Sequence, residues 1–151
     1  MSAFRGPLLV VLLTIAAGIQ AQNCPLRWVE YQGHCYRYFT GEAEWTSAQN
    51  ICKSYGANLA SIHSNEENDL VYKLQGCGDN RFWIGLNDRD FEGNFVWIDG
   101  TPVTYTNWHD GEPNDSGIGG EDCVEVDGSR SDPWKWNDNS CGNEKPFVCK
   151  I

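Results

Sequence analysis

The chain has 151 residues, 40% of them hydrophobic and 13% aromatic, with a formal charge of −10. That acidic balance argues against nucleic acid as a partner and against charge-driven binding to an anionic membrane. The length suits one domain with a core of its own once a leader is set aside.

Residues 1–21 read as a secretory signal peptide. Arg5 gives it a charged start, residues 7–19 are apolar but too few to span a bilayer, and Ala21 is a small residue at the cleavage point. The mature part, residues 22–151, is expected to be a single secreted, extracellular domain without membrane insertion. All seven cysteines lie in it, so six can form three bridges and one is left over. Six cysteines allow fifteen pairings, and their spacing does not choose among them. No Cys-x-x-Cys pair occurs, which argues against a zinc finger.

Residues 24–38 are aromatic and β-prone, and the Cys24 to Cys35 span suits a small hairpin. An amphipathic helix is predicted over residues 43–55, with Trp45, Ala48, Ile51, Cys52 and Tyr55 inward and Gly56 ending it. A second helix starts at Ser64, with Glu67 completing a capping box, and stops at Gly76. Its inward residues are Leu70, Val71 and Leu74. Beyond Gly78 the pattern turns to strands: a buried one over 82–86, another over 95–98, and three short ones over 123–126, 135–137 and 146–150. Residues 102–121 lack periodicity and form a long loop, of the length that usually carries function. The fold class is α+β.

The acids gather where that loop meets the last strands. Glu112-Pro113-Asn114, Asp115, Glu121-Asp122 and Trp136-Asn137-Asp138 fall within residues 110–138, and only Arg130 and Lys135 there are positive. Carboxylates about 4 Å apart repel by roughly 4 kcal/mol at an effective dielectric near 20. Such a cluster either stays spread in solvent or folds around a cation. Mixed carboxylate, amide and carbonyl oxygens suit calcium, which is hard and tolerant of irregular geometry.

Several ordered motifs then coincide: Trp83-Ile84-Gly85-Leu86, Glu112-Pro113-Asn114, Glu121-Asp122-Cys123, Trp136-Asn137-Asp138 and Phe147-Val148-Cys149. With the cysteine frame they resemble the C-type lectin domain family over the whole mature length. The resemblance implies a C-type lectin-like fold: two helices, short antiparallel sheets, a long calcium-binding loop and disulfide staples. The implied bridges are Cys24–Cys35, Cys52–Cys149 and Cys123–Cys141, and a cis bond is implied before Pro113. Glu112, Asn114, Glu121, Asn137 and Asp138 are implied as ligands of a principal calcium and as contacts to sugar. Asp88, Glu92, Asp115 and Asp122 are implied as ligands of an auxiliary calcium that orders the loop. Glu-Pro-Asn implies mannose-type glycans, perceived through a neighbouring pair of hydroxyls. The implied function is that of a secreted calcium-dependent lectin, with microbial surface recognition and innate immunity as the implied setting. The alternative is a structural or surface-binding protein on the same fold, such as a mineral-matrix or ice-binding protein.

Other readings are weaker. Asp110, Glu112, Asn114 and Glu121 match positions 1, 3, 5 and 12 of an EF-hand loop, but Asp115 replaces the glycine required at position 6. His34, His63 and His109 are scattered and no catalytic motif appears, so no enzyme is expected. Trp134 lies in an insertion-like run and is a candidate to stack on a sugar face. Cys77, between Gly76 and Gly78, is a candidate for an intermolecular disulfide joining two copies. Asn114-Asp115-Ser116 is also a glycosylation sequon, expected to be unoccupied because modification would remove a ligand.

Overall fold

The computed structural model describes residues 24–76, 81–128 and 134–151. The expected leader, Cys77 and residues 129–133 lie outside the described residues. Strands β1 (Val29–Tyr31) and β2 (His34–Ala43) form a hairpin. Its turn, Gln32-Gly33, takes positive φ at both residues, which the glycine makes easy. Helix α1 (Trp45–Ser54), strand β3 (Asn58–Leu59) and helix α2 (Asn65–Lys73) follow. Then come β4 (Phe82–Asn87), β5 (Val96–Trp97), β6 (Cys123–Asp127), β7 (Lys135–Asn139) and β8 (Lys145–Lys150).

One sheet runs in the order β1-β2-β8-β4-β6-β7, with β3 on β8 and β5 on β4. Its ladders are antiparallel except β4 with β8, which is parallel through Trp83 and Phe147. Every residue of β4 is buried, because apolar layers cover both of its faces. The architecture is α+β, with the two helices as expected.

The three bridges are Cys24–Cys35, Cys52–Cys149 and Cys123–Cys141. Cys52–Cys149 fastens α1 to β8 across a sequence separation of 97. Closing a loop near that size removes about 4–5 kcal/mol of unfolded-chain entropy.

The first helix differs from the sequence reading. Ala43 belongs to β2, where it pairs with Lys145, and the helix starts at Trp45. Ile51 is 37% exposed and Tyr55 is 48% exposed, whereas Gln49 is buried. Gln49 is polar but satisfied: its Oε1 accepts from the Leu59 N–H at 2.8 Å, and its Nε2 donates to Asn58 at 2.9 Å. Those bonds take β3 into the inward stripe beside Trp45, Ala48 and Cys52.

At α2, Ser64 caps as expected, its side chain accepting from the Glu67 N–H at 3.1 Å. The Glu67 carboxylate does not return to Ser64. It accepts instead from the His63 N–H at 2.6 Å, from Tyr36, and from Lys150 at 2.5 Å. Val71 is fully buried, with Leu70 and Leu74 packed against the same cluster. The strand expected over 95–98 shortens to two residues, Val96–Trp97.

Candidate functional site

Residues 102–122 cross the end of the β4-β6-β7 part of the sheet. Backbone bonds hold the crossing: Trp136 N–H to Asn107 O at 2.8 Å, His109 N–H to Trp136 O at 2.9 Å, and Asp88 N–H to Asp122 O at 3.1 Å. Trp108 and Trp136 pack against each other with centroids 5.9 Å apart, and Trp136 is fully buried. The aromatic pair is the floor on which the loop lies.

The expected principal ligands come together along this loop. The Glu112–Pro113 peptide bond is cis. The Asn114 side-chain amide donates to the Glu112 carboxylate. Asn114 Oδ1 accepts from the Ser116 N–H at 2.8 Å, which also approaches Glu121 Oε2 at 3.1 Å. Asp138, 1% exposed, accepts the Asn114 N–H at 3.1 Å and the Asp115 N–H at 2.8 Å. Asn137 is buried beside it and donates through Nδ2 to the Asp138 carbonyl at 2.5 Å. Gly117 leaves room for Glu121, since a Cβ there would sit 2.8 Å from Glu121 Cγ.

Asp88, Glu92, Asp115 and Asp122 form the neighbouring group. Asp88 Oδ2 accepts from the Gly93 N–H at 2.8 Å, while the buried Oδ1 has no hydrogen-bond partner among the described residues. Burial pushes the Asp88 carboxyl above its ordinary range, and the charge of Asp122 pushes it further. Glu92, although exposed, is also shifted up, by desolvation and by the charges of Asp88, Asp115 and Asp122. Gly120 keeps the space between two of these acids clear: a Cβ there would lie 3.3 Å from Asp122 Oδ1 and 3.6 Å from Asp115 Oδ1. Asp115 accepts the Glu121 N–H at 2.8 Å and so links the two groups.

These residues fit calcium. The charge of Asp122 acts on Asp88, and those of Asp88, Asp115 and Asp122 act on Glu92, so a cation there would relieve repulsion. The donors are hard oxygens of mixed type, as calcium prefers. Among the described residues no three His, Cys, Asp or Glu side chains stand close enough together to hold a metal ion by themselves. In the principal group the candidate donors include amides as well as carboxylates.

Trp134 is not brought into either group. Its ring meets Tyr72 of α2 at 5.2 Å, and its carbonyl accepts from Asn68 at 3.0 Å and Asn107 at 2.8 Å. Glu125, by contrast, was not among the sequence candidates yet sits directly behind Asn137, accepting from its Nδ2 at 3.1 Å. The signal for it is an acid in the middle of an otherwise buried strand.

A family model for the Lectin C-type domain matches residues 41–151, and the chain belongs to that family. It is 41% identical over 129 residues to the low affinity immunoglobulin epsilon Fc receptor of Mus musculus, covering 85% of this chain and 37% of that protein. The chain therefore spans little more than a third of the length of that curated relative. Its fold is similar to the carbohydrate-recognition domain of cow CD23, solved in the presence of a GlcNAc2Man3 oligosaccharide, with a TM-score of 0.76 and 42% identity over 85% of this chain and 95% of that one. It is also similar to the herring type II antifreeze protein, with a TM-score of 0.77 and 30% identity over 85% and 98% of the two chains. The C-type lectin fold is in general a binding domain and not an enzyme.

Proposed function

We propose that this chain is a secreted, calcium-dependent carbohydrate-binding domain that recognises mannose-type glycans. The observation that carries the reading is the convergence of Glu112, Asn114, Glu121, Asn137 and Asp138, a mixed-oxygen set, on one loop-and-strand surface. The likeness to the cow CD23 domain, solved with a mannose-containing oligosaccharide, supports it.

These five residues would hold the principal calcium, and Asp88, Glu92, Asp115 and Asp122 an auxiliary one. When bound, calcium supplies a centre that two neighbouring sugar hydroxyls can complete. The protein does the rest. A carboxylate or amide oxygen has more than one acceptor direction, so Glu112 can accept from a hydroxyl while remaining a ligand. Asn114 Nδ2 donates to the adjacent hydroxyl oxygen. In the free protein these two groups satisfy each other, so sugar exchanges one hydrogen bond for two.

The test is retention on immobilised mannose in millimolar calcium, with elution by chelator and by free mannose. Retention that chelator does not release would overturn calcium dependence. No retention at all would favour the alternative, a non-sugar surface binder, for which the likeness to the herring antifreeze protein speaks.

A further inference from the structure

We infer that Glu125 is a positioning residue for the calcium site: it fixes which way the Asn137 amide faces. The inference rests on the calcium reading above.

In the β6–β7 ladder Glu125 lies opposite Asn137. Asn137 and Asn139 share a strand face, because alternate residues of a strand point the same way. Both amides reach the same oxygen: Asn137 Nδ2 and Asn139 Nδ2 each donate to Glu125 Oε1 at 3.1 Å. The carboxylate is fully buried and lies between two cations. Lys145 Nζ is 2.9 Å from Oε2, an ion pair without hydrogen-bond alignment, and Arg81 is 3.7 Å from Oε1. Arg81 is itself held by Asp127 at 3.2 Å, and Lys145 by the face of Trp83 at 5.1 Å. Asn139 is fixed from its other end, its Oδ1 accepting from the Ser140 N–H at 2.8 Å and from Asn143 at 2.7 Å.

A carboxylate in this setting accepts and does not donate. Only the nitrogen of the Asn137 amide can therefore face it. With the amide reversed, two acceptors would meet in a site with no water to separate them. The planar amide then leaves Oδ1 on the branch away from Glu125, available as a cation ligand. Outer partners of this kind commonly change metal affinity by about 10–100-fold when removed.

The experiment compares parent and Glu125→Gln. A glutamine keeps the shape but can turn either oxygen or nitrogen toward Asn137, which leaves the Asp138 carbonyl, 2.5 Å from the same Nδ2, as the one fixed acceptor holding the amide. Calcium affinity is read by calorimetry, and folding by the thermal transition in chelator. The expected result is a dissociation constant about tenfold or more weaker in the variant, with a cooperative transition retained. A folded variant that binds calcium within twofold of the parent overturns the inference. If stranding Arg81 and Lys145 prevents folding, the parent alone decides. In calcium-free, isotope-labelled parent, a scalar coupling across the hydrogen bond from Asn137 Nδ2 to the Glu125 carboxyl carbon is expected. Its absence, with the same amide resonances assigned, overturns the inference. A parent that takes up no calcium overturns the calcium reading itself, and the role of Glu125 with it.

Discussion

Asp138 and Asn114 are joined through side chain and backbone: both oxygens of the buried Asp138 carboxylate lie 3.1 Å from the Asn114 N–H. One residue of β7 thus acts as a candidate ligand and as the anchor of the loop that carries the other ligands. Asp138→Asn keeps one oxygen, which can accept from both N–H groups at the Oδ2 position, but sets an NH2 against the Asn114 N–H and removes the charge. Losing the charge-assisted bonds should cost about 1–3 kcal/mol. The parent should gain about 2.7 kcal/mol from calcium at a hundredfold excess over its dissociation constant. The variant should melt lower in chelator and gain less from the same calcium concentration. Identical melting curves for both proteins in both conditions would remove Asp138 from either role.

Acid should release sugar before it unfolds the domain. Ligand carboxylates must be ionised to bind, so protons compete with calcium. The fold resists acid through a different group of residues. Burial pushes Glu67 up, but hydrogen bonds from Lys150, Tyr36 and the His63 N–H bring it below its ordinary 4.5. A depressed carboxylate stabilises the fold above its unfolded value, and that contribution is lost as pH falls through the folded one. Burial and then Lys150 hold His63 below its ordinary 6.5. The folded state thus favours neutral His63, whose contribution fades as pH drops below 6.5. The melting temperature in chelator should fall gently below that point and steeply below 4.5. Mannose retention should disappear between the two regimes. Retention that persists until the domain melts would contradict this order.

Gly85 is set by contact and not by conformational freedom. A Cβ there would lie 2.6 Å from the Leu59 carbonyl oxygen and 2.9 Å from Ile98 Cγ2. The carbonyl is backbone and cannot swing aside. Gly85→Ala should therefore cost about 1–3 kcal/mol, a fall of roughly 3–12 °C in Tm. Gly41→Ala, where a Cβ meets nothing within 4 Å, is the control and should change little. Equal melting of the two variants would show that β3 and Ile98 yield.

The candidate set was legible because each piece is a short local motif whose residues stay neighbours in space. Glu112 and Asn114 flank one proline, and Asn137 and Asp138 adjoin on one strand. Periodicity located both helices but misjudged the face of α1, since counting apolar residues favours Ile51 over Gln49. Gln49 is buried only because β3, two residues long, offers partners to its amide. Such a strand carries no pattern of its own. Glu125 was hidden for a similar reason. Its partners are scattered along the chain, Arg81 just before β4, Asn137 and Asn139 on β7 and Lys145 at the start of β8, and only the sheet order assembles them.

Cys77 remains the odd cysteine once the three bridges are formed. Its position between two glycines predicts a disulfide between two copies. On a non-reducing gel the parent should run at twice the mass of Cys77→Ser. Pairing raises avidity without new contacts, so agglutination should fall in the variant while monosaccharide affinity stays the same. Equal mobility of the two proteins would rule out the pairing.

Sugar choice should follow the donor and acceptor order around Pro113. Asn114 donates to Glu112 in the free protein, which identifies the nitrogen and the oxygens that a sugar would meet. The double variant Glu112→Gln, Asn114→Asp keeps the number of ligating groups and the net charge. It moves the donor from position 114 to position 112. Calcium affinity should therefore change little. Mannose recognition should weaken, because each hydroxyl now meets the wrong partner, and an unsatisfied partner costs about 1–3 kcal/mol. Galactose, whose neighbouring hydroxyls are arranged differently, should gain relative to mannose. Competition between the two sugars at saturating calcium measures the ratio, and a shift of about tenfold corresponds to roughly 1.4 kcal/mol. If the variant binds calcium and keeps the full mannose preference of the parent, this pair does not read the sugar. Selectivity would then have to come from the walls of the site.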